Sequence, residues 1–244
     1  MTTAIKIEGL TKRYKDVTAV EGLNLEISEG ELFSLLGVNG AGKTTTIKML
    51  STLVKPTSGD ATIFGYSVLR DEEKIKEIID ISMQETAIAR KLTVEENIEF
   101  YGRLSGQDKA GLNEMKKVIY EAFGFEKIAK KQASKLSGGW QRKLSIALAL
   151  ISKPRILFLD EPTLGLDVIA RRELWKTING LKGKMTIILT THYMEEAEAL
   201  ADRIGIMKDG RLLFVGTKEE LFGKTGKTNV EDSFIEIVSG GESL

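Results

Sequence analysis

The segment at residues 37–44, GVNGAGKT, constrains the fold of this chain more than any other. It fits the pattern G-x-x-x-x-G-K-[ST], follows the mostly apolar run Leu32–Leu36 and opens a helical pattern. Glycines allow a tight turn in which successive backbone N–H groups point inward, and the helix N-terminus adds positive potential. The sequence therefore predicts a buried strand, a phosphate-binding loop and a helix, in that order.

Two side chains of this loop indicate the chemistry of its ligand. Lys43 would place its charge on the terminal phosphates, and the hydroxyl of Thr44 would ligate Mg²⁺. A glycine-rich turn with a surface lysine is the alternative interpretation. The strand before the loop and the helix after it favour phosphate binding.

A second motif supplies two neighbouring carboxylates. The apolar pattern at residues 156–159 ends in Asp160, which Glu161 follows. An acid at the carboxyl end of a strand lies at the crevice where α/β sheets bind ligands. Asp160 would approach Mg²⁺ through water, and Glu161 would act as general base on the attacking water. Alone, the pair could equally be an exposed acidic turn, so the metal and base roles depend on the phosphate loop nearby.

A third motif is the start of an apolar helical pattern at Ser137, Gly138 and Gly139. Ser137 fits an N-cap, and the two glycines leave a bare backbone at the helix start. The pattern is typical of a capped helix, and it is also a second phosphate-binding helix terminus in the same chain. One chain cannot easily use both termini on the same phosphate.

Hydrophobic periodicity indicates an α/β protein. Alternating residues near the N-terminus, such as Ile5, Ile7, Leu25 and Ile27, predict half-buried antiparallel strands. Apolar runs separated by helical patterns predict a parallel sheet. Between residues 90 and 150 apolar positions recur only at helical spacing, which predicts inserted helices with a break at residues 105–108. The buried runs are at residues 32–36, 156–159 and 186–189, and the helical patterns are at residues 44–53, 170–181 and 194–201.

Composition excludes several kinds of site. The 35 basic and 35 acidic residues give a net charge of 0, which argues against a nucleic-acid partner bound by bulk positive charge. The chain has 0 cysteines and 1 histidine, so disulfides, cysteine-ligated metals and histidine-rich metal sites are excluded. The longest apolar stretch, near residues 144–151, is far short of the ~20 residues that span a bilayer.

The three motifs together resemble the ATP-binding cassette of ABC transporters: the phosphate loop, LSGG at residues 136–139 and ILFLDEP at residues 156–162. Their order and spacing agree with that family over nearly the whole chain. The resemblance implies an α/β fold with a P-loop NTPase (RecA-like) core, an N-terminal antiparallel β subdomain and an inserted helical subdomain. In one domain of residues 1–244, the core with its β subdomain would comprise residues 1–89 and 151–216, the helical subdomain 90–150, and a short C-terminal segment 217–244.

The resemblance also implies roles for single residues. Gln84 matches the family's glutamine loop, His192 its switch histidine, and Tyr14 the aromatic ring that stacks on adenine, although an aromatic ending a strand is often just half-buried. The implied cofactors are ATP and Mg²⁺. The implied catalytic residues are Glu161, His192 and Gln84, and the implied metal-binding residues are Thr44, Gln84 and Asp160. The implied nucleotide-binding residues are Tyr14, Gly37, Asn39, Gly40, Ala41, Gly42, Lys43, Thr44, Thr45, Ser137, Gly138, Gly139 and Asp167.

Partners follow from the resemblance as well. In this family two cassettes pack head to tail, and each ATP lies between one phosphate loop and the partner's Ser-Gly-Gly segment. We therefore expect a homodimer, or a heterodimer with a related cassette, at the cytoplasmic face of the cell membrane as a peripheral subunit. It would drive a separate membrane permease, and likeness to multidrug and sodium efflux cassettes favours an exporter. The alternative is a soluble ABC ATPase that acts on a macromolecular complex without transport.

Two further expectations concern less common features. Trp140 stands where the family usually has glutamine, and its ring could face the partner chain or point into the helical subdomain. The acidic residues Glu195, Glu196 and Glu198 are expected to form a solvated helix face.

Overall fold

The structure is a computed structural model that describes residues 2–240. Its strands are β1 (Thr3–Tyr14), β2 (Val17–Ser28), β3 (Leu32–Leu36), β4 (Ser58–Ile63), β5 (Tyr66–Ser67), β6 (Ile79–Ser82), β7 (Ile156–Asp160), β8 (Thr186–Thr191), β9 (Arg203–Lys208) and β10 (Arg211–Gly216). Its helices are α1 (Lys43–Leu50), α2 (Glu72–Ile78), α3 (Val94–Leu104), α4 (Lys109–Phe123), α5 (Gly138–Ala149), α6 (Val168–Asn179), α7 (Met194–Leu200), α8 (Lys218–Thr225) and α9 (Val230–Ser239).

The smaller sheet is antiparallel, with the strand order β2-β1-β4-β5. Ile5 lies opposite Ile27 and Ile7 opposite Leu25, and all four side chains are buried. Such directly opposed apolar pairs stabilise the sheet. The antiparallel pairing expected from the alternating pattern is confirmed.

The larger sheet has the order β10-β9-β3-β8-β7-β6, and its strands run parallel except β10. Successive residues of its central strands enter two different cores. In β3, Leu32 and Leu36 pack with helices α5, α6 and α7, whereas Phe33 and Leu35 pack with α1 and the smaller sheet. Because both faces are buried, the polar alternation is lost, and the continuous apolar runs correctly predicted three of the six strands, β3, β7 and β8.

Helix ends differ from the sequence-based expectation where local side chains or backbone decide them. The helix after the phosphate loop ends at Leu50 rather than residue 53, and Thr52 lies in the left-handed region with φ 62°. Helix α6 starts at Val168 rather than residue 170, because the carboxylate of Asp167 accepts hydrogen bonds from the amides of Ile169 and Ala170.

Helices α3, α4 and α5 occupy the segment between β6 and β7, where inserted helices were expected. Thr93 and Glu96 form a capping box at the start of α3, and Asp108 caps α4, which confirms the break at residues 105–108. The C-terminal segment contains two packed helices, α8 and α9. No helix within residues 2–240 combines the length and the apolar character needed to cross a membrane.

Candidate active site

Strands β3, β6, β7 and β8 run parallel, so their carboxyl ends meet at one edge of the sheet. The loops after them line a cleft of about 460 Å³, at the edge where open α/β sheets bind ligands. The structure therefore brings the phosphate loop together with six residues from distant parts of the sequence. The lining residues are Tyr14, Ala19, Asn39, Gly40, Ala41, Gly42, Lys43, Thr44, Thr45, Gln84, Glu161, Leu164 and His192.

The backbone of the phosphate loop requires glycine at defined positions. Gly42 has φ 104°, and a Cβ there would lie 2.4 Å from the carbonyl oxygen of Ala19. A Cβ on Gly37 would lie 2.4 Å from the carbonyl oxygen of Met207. Both contacts are with backbone and cannot relax by a side-chain rotation, so the spacing of these glycines fixes a turn that larger residues would not permit.

Lys43, Glu161 and His192 form a chain of polar contacts in the cleft. The Lys43 ammonium donates to the carbonyl oxygen of Gly37 at 2.7 Å and lies 3.3 Å from Oε1 of Glu161. Oε2 of Glu161 lies 2.5 Å from Nδ1 of His192. Glu161 is thus held between the lysine of the phosphate loop and the histidine that follows β8. Its side chain is only 9% exposed.

Glu161 also has an unusual backbone conformation. Its φ of 48° lies in the left-handed region, which costs a residue with a side chain about 1–3 kcal/mol. The amide of Glu161 donates to the carbonyl oxygen and to the hydroxyl of Thr190, both at 3.1 Å. These two bonds hold Glu161 in this conformation.

Asp160 has one satisfied and one unsatisfied carboxylate oxygen. Oδ1 accepts from the hydroxyl of Thr44 at 3.0 Å and from the hydroxyl of Thr190 at 2.6 Å. Oδ2 is buried and has no hydrogen-bond partner within residues 2–240. A buried carboxylate oxygen without a donor fits a cation, and the oxygen atoms of Thr44 and Asp160 are of the kind that Mg²⁺ prefers.

The protein alone offers few ligands for such a cation. Within the described part of the chain, no group of three or more histidine, cysteine, aspartate or glutamate side chains could hold a metal ion. Mg²⁺ is usually bound through one or two carboxylates together with the phosphates of a nucleotide. The donors present therefore fit a metal that arrives with its nucleotide.

Arg142, which sequence reasoning missed, joins three parts of the site. This buried guanidinium on α5 donates to the carbonyl oxygens of Asp160 and Pro162 at 2.8 Å, to that of Gln84 at 3.2 Å, and to that of Met83. Burial lowers the pKa of Arg142 to about 10, and the Asp160 carboxylate partly opposes that shift. At neutral pH the side chain remains charged and connects the segment carrying Gln84 to the end of β7.

Tyr14 and Gln84 both line this cleft. Tyr14 ends β1 with 44% of its surface exposed. Gln84 lies just beyond the end of β6.

Ser137, Gly138, Gly139 and Asp167 do not line this cleft. Ser137 occupies the N-cap position of α5 as expected, but its side chain makes no capping hydrogen bond. A Cβ on Gly139 would lie 3.0 Å from the Cβ of Ala170, so the start of α5 lies against the start of α6. Asp167 uses its carboxylate to cap α6.

The expectation of a solvated acidic face on α7 is wrong for Glu196. Its side chain is fully buried, and Oε1 accepts a hydrogen bond from the indole N–H of Trp175 at 3.1 Å. Burial raises the pKa of Glu196, and the hydrogen bond from Trp175 opposes that rise. The signal in the sequence is helical spacing, because Glu196 precedes the buried Leu200 by one helical turn.

Trp140 packs within its own chain. Its ring centre lies 6.0 Å from that of Phe125, and the ammonium of Lys143 lies 4.7 Å from the centre of the indole. Lys143 also pairs with Glu173 of α6 at 3.0 Å. Of the two arrangements that the sequence left open, the structure has the ring among the inserted helices.

The packing of Trp140 predicts a fluorescence result. Subtracting the emission spectrum of Trp140→Phe from that of the wild type gives the emission of this ring alone. We expect this difference spectrum to be the same with Mg²⁺–ATP as with Mg²⁺–ADP. Removing Trp175 instead is unsuitable, because Glu196 would lose the indole donor within a buried site. A difference spectrum that changes with ATP alone, and no longer changes in a Ser137→Arg chain, would contradict this expectation and place the ring at a partner chain.

Comparison with known proteins agrees with this geometry. A family model described as ABC transporter matches residues 20–164. The chain is 38% identical over 230 residues to a daunorubicin resistance ATP-binding protein of Streptomyces coeruleorubidus. The alignment covers 94% of this chain and 73% of that protein. Other relatives are much longer, and the chain spans 23% of one of them.

Solved structures show the same fold. An ATP-binding subunit of an ABC transporter superimposes with a TM-score of 0.85 at 27% identity, covering 97% of this chain and 100% of that one. An ATP-binding cassette solved as a dimer in a post-hydrolysis state with ADP and Pi has a TM-score of 0.77 at 26% identity, covering 87% of this chain and 98% of that one. The chain therefore belongs to the ABC transporter family, of which it is an ATPase cassette.

Proposed function

We propose that this chain binds and hydrolyses Mg²⁺–ATP in a head-to-tail dimer of cassettes and thereby drives a separate membrane permease that exports its substrate. The observation that carries the proposal is the chain of contacts from Lys43 through Glu161 to His192, beside a carboxylate oxygen of Asp160 that has no donor. A carboxylate beside a lysine of the phosphate loop, and a second carboxylate suited to a metal, fit phosphoryl transfer to water in one cleft.

Glu161 is the proposed general base. Its carboxylate would accept a proton from the attacking water, and burial in the cleft keeps bulk water from competing for it. His192 contacts Oε2 and would fix the carboxylate, leaving its second oxygen toward Lys43. Lys43 and the loop amides would hold the terminal phosphate in place.

Thr44, Gln84 and Asp160 would hold Mg²⁺. When bound, the metal supplies positive charge to the phosphates during the reaction. The hydroxyl of Thr44 donates its proton to Asp160, so its lone pairs remain for a cation. Gln84 lines the cleft, and its backbone carbonyl oxygen accepts a hydrogen bond from Arg142.

The second phosphate-binding terminus supports the dimer. Ser137 is exposed, its side chain makes no cap, and the residues 137–139 do not line the cleft of their own chain. In a twofold-symmetric pair, each such segment would face the partner's cleft, and the two clefts would be equivalent. ATP would then join the two chains, and its hydrolysis would release them.

Export and the permease are supported by the relatives, one of which is named for daunorubicin resistance. The chain would act at the cytoplasmic face of the cell membrane, with residues 90–150 as the helical subdomain that contacts the permease. A soluble ABC ATPase that acts on another complex is the alternative. Leu104 at the end of α3 is 69% exposed and is a suitable place for a probe of this surface.

Photo-cross-linking in intact cells tests the permease. We expect a photoreactive residue at position 104 to join the chain covalently to an integral membrane protein of several spans. The matched probe replaces the exposed Leu213 on β10, outside the inserted helices, and should not form that product. Products with soluble proteins alone at position 104 would instead support the alternative.

A further inference from the structure

Thr190 is a buried residue of β8 that contacts both carboxylate residues of the site. In the parallel pairing of β7 and β8 it lies directly beside Asp160. Its hydroxyl donates to Oδ1 of Asp160 at 2.6 Å and accepts from the amide of Glu161 at 3.1 Å. A hydroxyl has one proton, so the Thr190 proton is committed to Asp160.

These contacts make the two oxygens of Asp160 unequal. Oδ1 accepts from Thr190 and Thr44, whereas Oδ2 remains buried without a partner. A partial rotation of the carboxylate about its Cβ–Cγ bond would turn the unpartnered oxygen to another direction, and the 2.6 Å bond from Thr190 opposes that rotation. Groups that fix a metal-binding carboxylate in this way affect metal affinity without touching the metal.

We propose that Thr190 is a positioning residue that holds Asp160 with Oδ2 free for Mg²⁺ and fixes the amide of Glu161 beside it. The proposal depends on the proposed Mg²⁺ site. The other threonine hydroxyls at the two ends of β8 have different partners: that of Thr191 accepts from the amide of Tyr193, and that of Thr186 accepts from the amide of Gly30.

Thr190→Val tests the proposal because valine keeps the shape and the β-branching and removes only the hydroxyl. The amide of Glu161 retains its bond to the carbonyl oxygen of residue 190, so the strand should fold. Thr190→Ser restores a hydroxyl at the same place. Thr186→Val is the matched control, since it removes another fully buried hydroxyl from the same strand.

The measurement is Mn²⁺ binding to the complex with a non-hydrolysable ATP analogue, followed by the EPR signal of free Mn²⁺. We expect Thr190→Val to raise the dissociation constant for Mn²⁺ about tenfold, the lower end of the usual effect of removing an outer metal-site contact. Thr190→Ser and Thr186→Val should stay near the wild-type value. Binding of the analogue in EDTA, measured by calorimetry, should be unchanged in all three.

Two results would overturn the proposal in different ways. If Thr190→Val binds Mn²⁺ as tightly as the wild type, or if it loses as much affinity for the analogue in EDTA as it loses for Mn²⁺, Thr190 has only a structural role. Either result would leave the proposed function intact. A wild-type chain that binds the analogue but no Mn²⁺ with it would remove the metal site and this proposal together.

Discussion

A Glu161→Gln chain is expected to bind ATP like the wild type and to hydrolyse it about 10²–10⁴-fold more slowly, because an amide cannot accept the proton of the attacking water. Glutamine has the same shape, and its oxygen can still face Lys43, which lies 3.3 Å from Oε1 in the wild type. The loop amides are untouched, so nucleotide affinity should survive. Because hydrolysis would release the dimer, the variant should accumulate as an ATP-bound dimer.

Phosphate release and size-exclusion chromatography with Mg²⁺–ATP measure both effects. Glu195→Gln is the matched control, since Glu195 lies on α7 with its side chain 82% exposed and pairs only loosely with Arg171 at 4.0 Å. It should keep wild-type turnover and stay monomeric after its ATP is consumed. Wild-type turnover in Glu161→Gln would remove Glu161 as the base, whatever its effect on the dimer.

Features set by neighbouring residues could be predicted from the sequence. The phosphate loop is one such feature, because its whole pattern lies within eight consecutive residues and Gly42 has the left-handed φ of 104° that favours glycine. The buried strands were equally predictable, because a strand with two covered faces is apolar throughout. The position of Glu161 after β7 follows from the rule that parallel strands end at a common edge.

Features set by contacts between distant segments could not be predicted. Arg142 is one charge among several in the sequence KLSGGWQRK, and only the fold brings the carbonyl oxygens of Gln84 and Pro162 around it. In the sequence Thr190 looks like an ordinary strand residue, and only the pairing of β7 with β8 shows that it lies beside Asp160. The carboxyl group of Glu196 was predicted to be exposed because acidic residues are seldom fully buried, yet the Trp175 hydrogen bond accommodates it.

Ser137→Arg is expected to leave ATP binding by the monomer unchanged and to abolish hydrolysis. Ser137 is exposed, and its side chain makes no capping bond, so the substitution removes nothing that the folded monomer uses. In the proposed dimer the bulky cation would occupy the space of the partner's terminal phosphate. Ser134→Arg, an exposed serine in the turn before α5, is the matched control and should retain activity.

Mixing this variant with Lys43→Ala separates a two-chain site from a one-chain site. Lys43→Ala should lose ATP binding itself, because the ammonium that contacts the loop at Gly37 is gone. Each mixed dimer would carry one cleft with intact Lys43 facing an intact Ser137, and one cleft with both defects. With random pairing and independent clefts, about half of the dimers would be mixed and each would have one working cleft of two. A one-to-one mixture should therefore recover about a quarter of wild-type phosphate release. No recovery in the mixture, together with loss of monomer ATP binding in Ser137→Arg, would mean that Ser137 serves the nucleotide of its own chain.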